Sequence, residues 1–274
     1  MTLRGAALRR GGRTLFAGLD LALAPGTLTL LCGDNGQGKS SLLSVLAGEL
    51  PLSAGSCAVP PRHRIGWSPQ QPRLWPELTP LEQLTLLGRL HGAVEVEARA
   101  RAVELLAAAG LADHAGRHAG RLSGGMQRRL ATLLALMPRP GLALLDEPTA
   151  NLDVGASAAV AALLLGARDE GCALVVATHD PDAFAPPHRA PADRVLRFSG
   201  GRLDELPEPR RLLAEADPTL RVSGPRAALE PVAAAARGAR LEVELEPARL
   251  ARLIGADTAA GWGEAPCGSD GATP

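Results

Sequence analysis

The chain has 274 residues, of which 46% are hydrophobic and 21% are charged. This length and composition predict one large or two modest domains with a real core, and they exclude a disordered chain. Lys and Arg together number 29, as do Asp and Glu, so the formal net charge is zero and argues against nucleic acid as a partner. Aromatic residues make up only 2% and Tyr is absent, which argues against a stacking platform for RNA.

Neither the cysteines nor the apolar stretches indicate an exported or membrane-spanning chain. The cysteines lie too far apart in sequence for a zinc or redox motif, which predicts a reduced, cytoplasmic protein. They are Cys32, Cys57, Cys172 and Cys267. No uncharged stretch reaches the length of about 18 apolar residues that a membrane span needs, and the N-terminus lacks the apolar core of a signal peptide. We therefore expect a chain that does not enter a bilayer by itself.

Predicted strands and helices alternate along most of the chain. Apolar runs and alternation predict strands over residues 15–23, 27–32, 65–68, 141–145, 172–178 and 194–198. Helical apolar spacing predicts helices over 40–50, 77–109, 123–137 and 154–168. Such alternation is typical of a layered α/β fold with a mainly parallel sheet.

Prolines at positions 207 and 209 predict a domain boundary. We expect one domain over 1–205, with a helical subdomain at about 77–137. Strand-like segments at 220–223 and 241–245, with an Ala-rich helix between them, predict a small β-α-β-like extension over 206–255. Residues 256–274 are expected to form a weakly ordered tail.

A glycine-rich segment lies between a predicted strand and a predicted helix, as the pattern G-x-x-x-x-G-K-[ST] requires. It reads Gly33-Asp34-Asn35-Gly36-Gln37-Gly38-Lys39-Ser40. Glycines let backbone N–H groups converge on phosphate oxygens, Lys39 can neutralise the β- and γ-phosphates, and Ser40 can offer its hydroxyl to Mg²⁺. Lys39 is the only lysine among 29 basic residues, which marks a position that needs a compact charge. An ordinary glycine turn is the alternative interpretation.

Two carboxylates follow the apolar strand over 141–145, namely Asp146 and Glu147. A buried strand that ends here places Asp146 near Ser40 and the metal ion. Glu147 then faces the γ-phosphate, where a carboxylate can polarise a water molecule. A solvated strand end is the alternative interpretation.

A second glycine-containing segment, Ser123-Gly124-Gly125, precedes the helix over 123–137. Ser123 is suited to cap that helix, and the glycines leave further N–H groups free to bind phosphate. A second phosphate site is redundant within one chain but is useful if it completes the nucleotide site of a partner. A plain helix cap is the alternative. His114 and His118 are four residues apart but have no acidic third ligand, so we predict no metal site there.

Six motifs occur in an order that resembles the ATP-binding subunit of an ABC transporter, over about residues 1–205. They are the glycine loop at 33–40, Gln70 after a short strand, the segment 122–127, Asp146-Glu147-Pro148-Thr149, Asn151-Leu152-Asp153, and Thr178-His179-Asp180. The resemblance implies the P-loop ABC-ATPase fold, with a mainly parallel core sheet, a small antiparallel β region and a helical subdomain.

The resemblance also implies a role for each motif in binding and hydrolysing ATP. Within one subunit, the glycine loop binds the phosphates, with Ser41 near the α-phosphate. Gln70, or alternatively its neighbour Gln71, touches Mg²⁺ or the attacking water. Asp146 holds Mg²⁺ through water, Glu147 is the general base, and His179 contacts the γ-phosphate.

Other implied roles depend on a second subunit. Ser123, Gly124 and Gly125 are expected to cap ATP that is held by the opposite subunit, and Asp153 is expected at the seam between the two. Three positions depart from the family pattern. Arg10 stands where an aromatic side chain usually stacks on adenine, Met126 replaces a glutamine and Gln37 replaces a small residue. A guanidinium can also stack on a ring.

The function implied by the resemblance is that of an ATPase subunit on the cytoplasmic face of the cell membrane. Its expected partners are a transmembrane permease subunit and a second ATPase subunit, in a homodimer or heterodimer, with no nucleic acid. Export is expected, as in drug, lipid or polysaccharide exporters or haem exporters. A non-transport ABC ATPase that acts on a macromolecular complex is the first alternative, and another P-loop NTPase such as a kinase or GTPase is the second.

Overall fold

The computed structural model describes residues 1–34, 36–179, 184, 192–206, 220–222 and 243–245. The chain divides into two compact units, Met1–Leu213 and Ala214–Pro274. Strands described in the first unit are β1 Thr2–Arg10, β2 Arg13–Ala22, β3 Leu28–Cys32, β4 Ala54–Ala58, β5 Ile65–Ser68, β6 Leu142–Asp146, β7 Ala173–Ala177, β8 Arg194–Ser199 and β9 Arg202–Glu205. Its described α-helices are α1 Lys39–Leu46, α2 Pro80–Leu90, α3 Glu95–Ala108, α4 Gly124–Leu136 and α5 Val154–Asp169.

The core of the first unit is a six-stranded sheet in the order β5-β6-β7-β3-β8-β9. The first five strands in this order, including β3, run parallel, and β9 is antiparallel to β8. Every residue of β6 and β7 is buried, as expected for parallel strands that are covered on both faces. The predicted α/β fold with a mainly parallel sheet is therefore confirmed. Its carboxyl edge collects the segments that follow β3, β5, β6 and β7.

A separate antiparallel sheet in the order β2-β1-β4 supplies the predicted small β region. The sequence did not predict β1, β4 or β9. Glycines and three register shifts interrupt the pairing of β1 with β2, so the alternation of apolar residues is irregular there. All but one residue of β4 are exposed, which leaves little hydrophobic signal.

The helix predicted over 77–109 is in fact two helices, α2 and α3. Apolar residues occur on both sides of this point, but Gly92 has a φ of 92°, a left-handed value that ends the helix. Helix α2 begins at a capping box in which the hydroxyl of Thr79 accepts from the Glu82 amide and the Glu82 carboxylate accepts from the Thr79 amide. Together with α4, these helices enclose a hydrophobic core of their own, around Leu84 and Leu106.

In the second unit, β10 Leu220–Val222 pairs in parallel with β11 Val243–Leu245. The helix predicted between these strands lies outside the described residues, as does the predicted tail over 256–274. Of the helices that the structure describes, none has the length and apolar character of a membrane span.

A buried side chain of α2 holds the loop that follows Gln70. Gln83 is fully buried, and its amide nitrogen donates to the carbonyl oxygens of Trp75 and Leu78 at 3.0 and 3.1 Å. Its amide oxygen accepts from the Trp75 N–H at 3.2 Å. One side chain therefore satisfies three backbone groups of the loop over residues 75–78.

We expect Gln83→Leu to lower the free energy of unfolding by about 1–3 kcal/mol, because the Trp75 N–H loses its partner and the carbonyl oxygens of Trp75 and Leu78 each lose one of their two donors. Urea denaturation measures this loss. Thr79→Ala is a matched control, because it removes only an exposed cap and should cost about 1 kcal/mol or less. A Gln83→Leu protein as stable as the wild type would show that the loop does not depend on this side chain.

Candidate functional site

The glycine loop connects β3 to α1, as the sequence predicts. Gly33 has a φ of 140°, and a Cβ atom here would collide with the carbonyl group of Phe198 on the neighbouring strand β8. Gly38, with a φ of 119°, is the N-cap residue of α1. Both positions require glycine, and the loop therefore turns sharply beneath the N-terminus of the helix. Asn35 lies outside the described residues.

Lys39 is the first residue of α1 and is only 6% exposed. Its Nζ donates to the carbonyl oxygens of Gly33 and Asp34, at 2.5 and 2.9 Å. In the described part of the chain, no carboxylate lies within ion-pair distance of this ammonium group. Neutral carbonyls thus position the ammonium, and its positive charge is left for an anion.

The predicted carboxylates are at the carboxyl end of β6, where Asp146 is 4% and Glu147 is 6% exposed. Burial raises the pKa of Asp146 above its ordinary value of 3.8, and the negative charge of Glu147 raises it further. A hydrogen bond from Ser40 and the positive charges of Lys39 and Arg128 oppose this shift without cancelling it. Asp146 is therefore held beside Ser40 in an environment that disfavours its negative charge.

Glu147 adopts a left-handed backbone conformation, with a φ of 54°. Its N–H donates to the carbonyl oxygen of Ala177, the last residue of β7, at 2.9 Å. The Glu147 carboxylate lies 2.8 Å from Nδ1 of His179, whose side chain is 60% exposed. Two parallel strands thus bring a buried carboxylate and an accessible imidazole into contact. Asp180, the last residue of this motif, lies outside the described residues.

Lys39, Asp146 and Glu147 share one cleft, with a volume of about 360 Å³, whereas His179 is not among the residues that line it. The cleft brings together most of the residues predicted to bind nucleotide and metal within one subunit. Its lining consists of Leu15, Gly36, Gly38, Lys39, Ser40, Ser41, Gln70, Asp146 and Glu147. Gln37 lies at the edge of the same loop, where its side-chain oxygen accepts from the Gly200 N–H at 3.4 Å.

Arg10 is not among the residues that line this cleft. It lies at the end of β1 and lines a second cavity, next to Glu49, Arg62 and Arg73. The apolar side chain that does line the nucleotide cleft is Leu15, on β2. Sequence reasoning missed Leu15, because an apolar residue in a strand is indistinguishable from core in the sequence.

The residues predicted to act on a second subunit lie at exposed helix starts. Ser123 caps α4 by accepting from the Met126 N–H at 3.3 Å, and Asp153 caps α5 by accepting from the Ala156 N–H at 2.8 Å. A Cβ atom at Gly125 would lie 3.0 Å from a methyl group of Leu152, so the two segments are close neighbours. Neither segment lines the cleft around Lys39. One copy of the chain therefore carries two separate sets of predicted residues.

The fold and the cleft together define a P-loop nucleotide-binding protein. The family profile for ABC transporters matches residues 16–150. The chain is 38% identical over 205 residues to the lipoprotein-releasing system ATP-binding protein LolD 1 of Rhodospirillum rubrum. This match covers 69% of the chain and 88% of that protein. It is also 38% identical over 199 residues to the zinc import ATP-binding protein ZnuC of Ruegeria pomeroyi, with 72% of this chain and 73% of that protein covered.

Solved structures agree with this assignment. A dimeric bacterial ABC transporter cassette is 27% identical, with a TM-score of 0.66 over 74% of this chain and 96% of that one. A structure described as a post-hydrolysis state of a cassette, with bound ADP and phosphate, has a TM-score of 0.65 and the same identity, over 75% of this chain and 97% of that one. The chain belongs to the ABC transporter family. It is the subunit of such a transporter that binds and hydrolyses ATP.

We expect Asp146→Asn to stabilise the nucleotide-free protein at pH 7.5. Because the folded pKa of Asp146 is raised, the contribution of this group to stability is fully present below its ordinary pKa of 3.8 and is lost as the pH rises through the folded pKa. The neutral amide avoids the cost of burying the charge. The gain in unfolding free energy over the wild type should shrink as the pH is lowered toward 4.

Urea denaturation in EDTA at several pH values measures this difference. Asp153→Asn is the matched control, because Asp153 is exposed and asparagine caps a helix equally well. A wild type that is more stable than Asp146→Asn at pH 7.5 would show that the cleft favours the charged carboxylate even without nucleotide.

Proposed function

We propose that this chain binds Mg²⁺-ATP in the cleft around Lys39 and hydrolyses it to power a separate membrane permease. The observation that carries this proposal is the burial of one ammonium and two carboxylates together in that cleft. Lys39 and the loop N–H groups are suited to the phosphates. A hydroxyl, a carboxylate and an amide oxygen, from Ser40, Asp146 and Gln70, are the hard oxygen donors that Mg²⁺ prefers.

The buried carboxylate of Asp146 fits a cation site, because a nearby cation favours its ionised form and offsets the raised pKa. When bound, Mg²⁺ neutralises charge on the phosphate oxygens. Ser40, Asp146 and Gln70, which all line the cleft, are proposed to hold it. Their places in the lining support this proposal.

Glu147 is proposed to accept the proton of the water that attacks the γ-phosphorus. The bond between the γ-phosphorus and the bridging oxygen of ADP breaks as the new phosphorus–oxygen bond forms, and the products are ADP and phosphate. His179, in contact with the Glu147 carboxylate at 2.8 Å, is proposed to orient that carboxylate and the water. Leu15 supplies an apolar surface in the lining of the cleft, and stacking of Arg10 on adenine stays a prediction.

A second subunit is proposed to complete the site. Ser123 and Gly124 are exposed and do not line the cleft of their own chain, so their N–H groups are suited to phosphates that another copy holds. Asp153, also exposed, is proposed at the seam between the two copies. Gly125, the third residue of that segment, is proposed to cap the same ATP together with Ser123 and Gly124.

The chain is proposed to act at the cytoplasmic face of the membrane, bound to its permease. The direction of transport stays a prediction, because the relatives are named for lipoprotein release as well as for zinc import. Export remains the direction that we propose. A non-transport role has no specific support in the described structure.

We expect Lys39→Ala to weaken ATP binding by at least about tenfold, since it removes the buried charge that faces the phosphates. Isothermal titration calorimetry measures the dissociation constant. Arg89→Ala is a control for the loss of one positive charge, because Arg89 is exposed on α2 and pairs with Glu95. Equal affinity in Lys39→Ala and the wild type would refute this assignment of the cleft.

We expect Glu147→Gln to bind ATP normally, to lose most hydrolysis and to form an ATP-stabilised dimer. The amide keeps the shape of the side chain but cannot accept the proton, so the closed state accumulates. Light scattering with and without ATP measures the dimer. Adding Lys39→Ala to Glu147→Gln should abolish it. A protein that stays monomeric at saturating ATP would contradict the two-subunit site.

A further inference from the structure

Arg128 lies on α4, where its guanidinium contacts two loops of the nucleotide cleft. One nitrogen, Nη1, donates to the carbonyl oxygen of Ala150 at 2.8 Å. The other, Nη2, donates to the carbonyl oxygen of Gln70 at 3.2 Å. A planar guanidinium can hold two acceptors in fixed directions at once, which the ammonium of a lysine cannot. One side chain therefore ties the helix that starts at Ser123 to two loops that follow strands of the core sheet.

Both of these loops contain residues of the nucleotide cleft. Gln70 itself lines the cleft. Ala150 donates its N–H to the carbonyl oxygen of Glu147 at 3.2 Å, while its own carbonyl accepts from Arg128. A continuous chain of hydrogen bonds thus runs from the backbone of Glu147 through Ala150 to α4.

The first turn of α4 packs against the same region. Gly125 is three residues before Arg128, so the two lie on one face of the helix, one turn apart. A Cβ atom at Gly125 would lie 3.0 Å from a Leu152 methyl group and 3.8 Å from the carbonyl oxygen of Asn151. Helix α4 therefore contacts the segment over 150–152 at two successive turns, and the helix and this segment are expected to move together.

We propose that Arg128 is a positioning residue that couples the cleft of one subunit to the Ser123–Gly125 segment that the same subunit presents to its partner. The proposal rests on the proposed two-subunit site. A shift of Gln70 or Glu147 when the cleft fills moves the two carbonyl oxygens that Arg128 holds. Because Arg128 lies one to two turns from Ser123, that shift is passed to the helix start.

The next residue, Arg129, offers a matched comparison. Arg128 and Arg129 are both half-buried, and Arg129 likewise donates to two carbonyl oxygens, those of Ala109 and Gly110. These acceptors follow α3, within the helical subdomain, and do not belong to the nucleotide cleft. Loss of Arg129 therefore removes a comparable set of contacts without cutting the connection to the cleft.

The test introduces Arg128→Met or Arg129→Met into the Glu147→Gln protein and measures three quantities. These are the urea midpoint, the dissociation constant of the monomer for ATP, and the dissociation constant of the ATP-bound dimer. Both variants should lose some stability. Because Arg128→Met also removes a positive charge that acts on Asp146, its effect on ATP binding by the monomer is measured separately and subtracted from its effect on the dimer. Only Arg128→Met should weaken the dimer, by about 5- to 150-fold, the range typical of coupling between two sites.

A dimer that is as tight with Arg128→Met as with Arg129→Met would overturn the inference while leaving the proposed function intact. Failure of the Glu147→Gln parent to dimerise with ATP would instead overturn the two-subunit site, and the inference with it. If Arg128→Met does not fold, Arg128→Lys decides, because it keeps the charge but cannot hold both carbonyls in fixed directions. A weakened dimer supports the inference, and an unchanged one overturns it.

Discussion

Burial of charge at the carboxyl edge of the core sheet is the constraint on which the rest of the structure depends. Lys39, Asp146 and Glu147 are each no more than 6% exposed. Buried ionisable groups are costly to the fold, as the raised pKa of Asp146 shows. The buried apolar residues of the neighbouring strands, in β6 and β7 above all, offset this cost. A ligand that supplies both phosphate and a cation lowers the cost of burying these charges. Binding of nucleotide is therefore expected to raise the free energy of unfolding.

The order of the strands explains how distant residues meet. Strands β5, β6, β7 and β3 are neighbours and run parallel, so their carboxyl ends share one edge. Gln70 follows β5, Glu147 follows β6, His179 follows β7 and Lys39 follows β3. Ligands of open parallel sheets bind at such an edge. Helix α4 of the helical subdomain also lies beside that edge, where Arg128 contacts the loops after β5 and β6.

Much of the fold and cleft could be predicted from the sequence, because the signals are local. The glycine loop needs glycine at positions 33 and 38, a compact cation at 39 and an adjacent helix, and all four lie within a few residues. Asp146 and Glu147 end an apolar run whose burial is evident from the residue types alone. The break between α2 and α3 was missed, because apolar residues occur on both sides of Gly92 and no proline marks the break.

Contacts that depend on tertiary geometry could not be predicted. Nothing local distinguishes Arg128, which holds the loops of the cleft, from Arg129, which holds the end of α3. Leu15 reads as an ordinary strand residue, although it lines the cleft, and the exposed strand β4 carries almost no hydrophobic pattern. The roles proposed for Ser123 and Asp153 depend on a second subunit, whereas the structure of one chain shows only that both cap helices.

The claim that one chain carries only half of each catalytic site is tested most directly by the dependence of ATP turnover on protein concentration. At saturating Mg²⁺-ATP, the turnover per chain should be low in dilute solution and should rise with concentration until the dimer forms. The concentration at half-maximal turnover should match the dimer dissociation constant. A turnover per chain that is constant across that range would contradict the account, because a single copy would then hold a complete site.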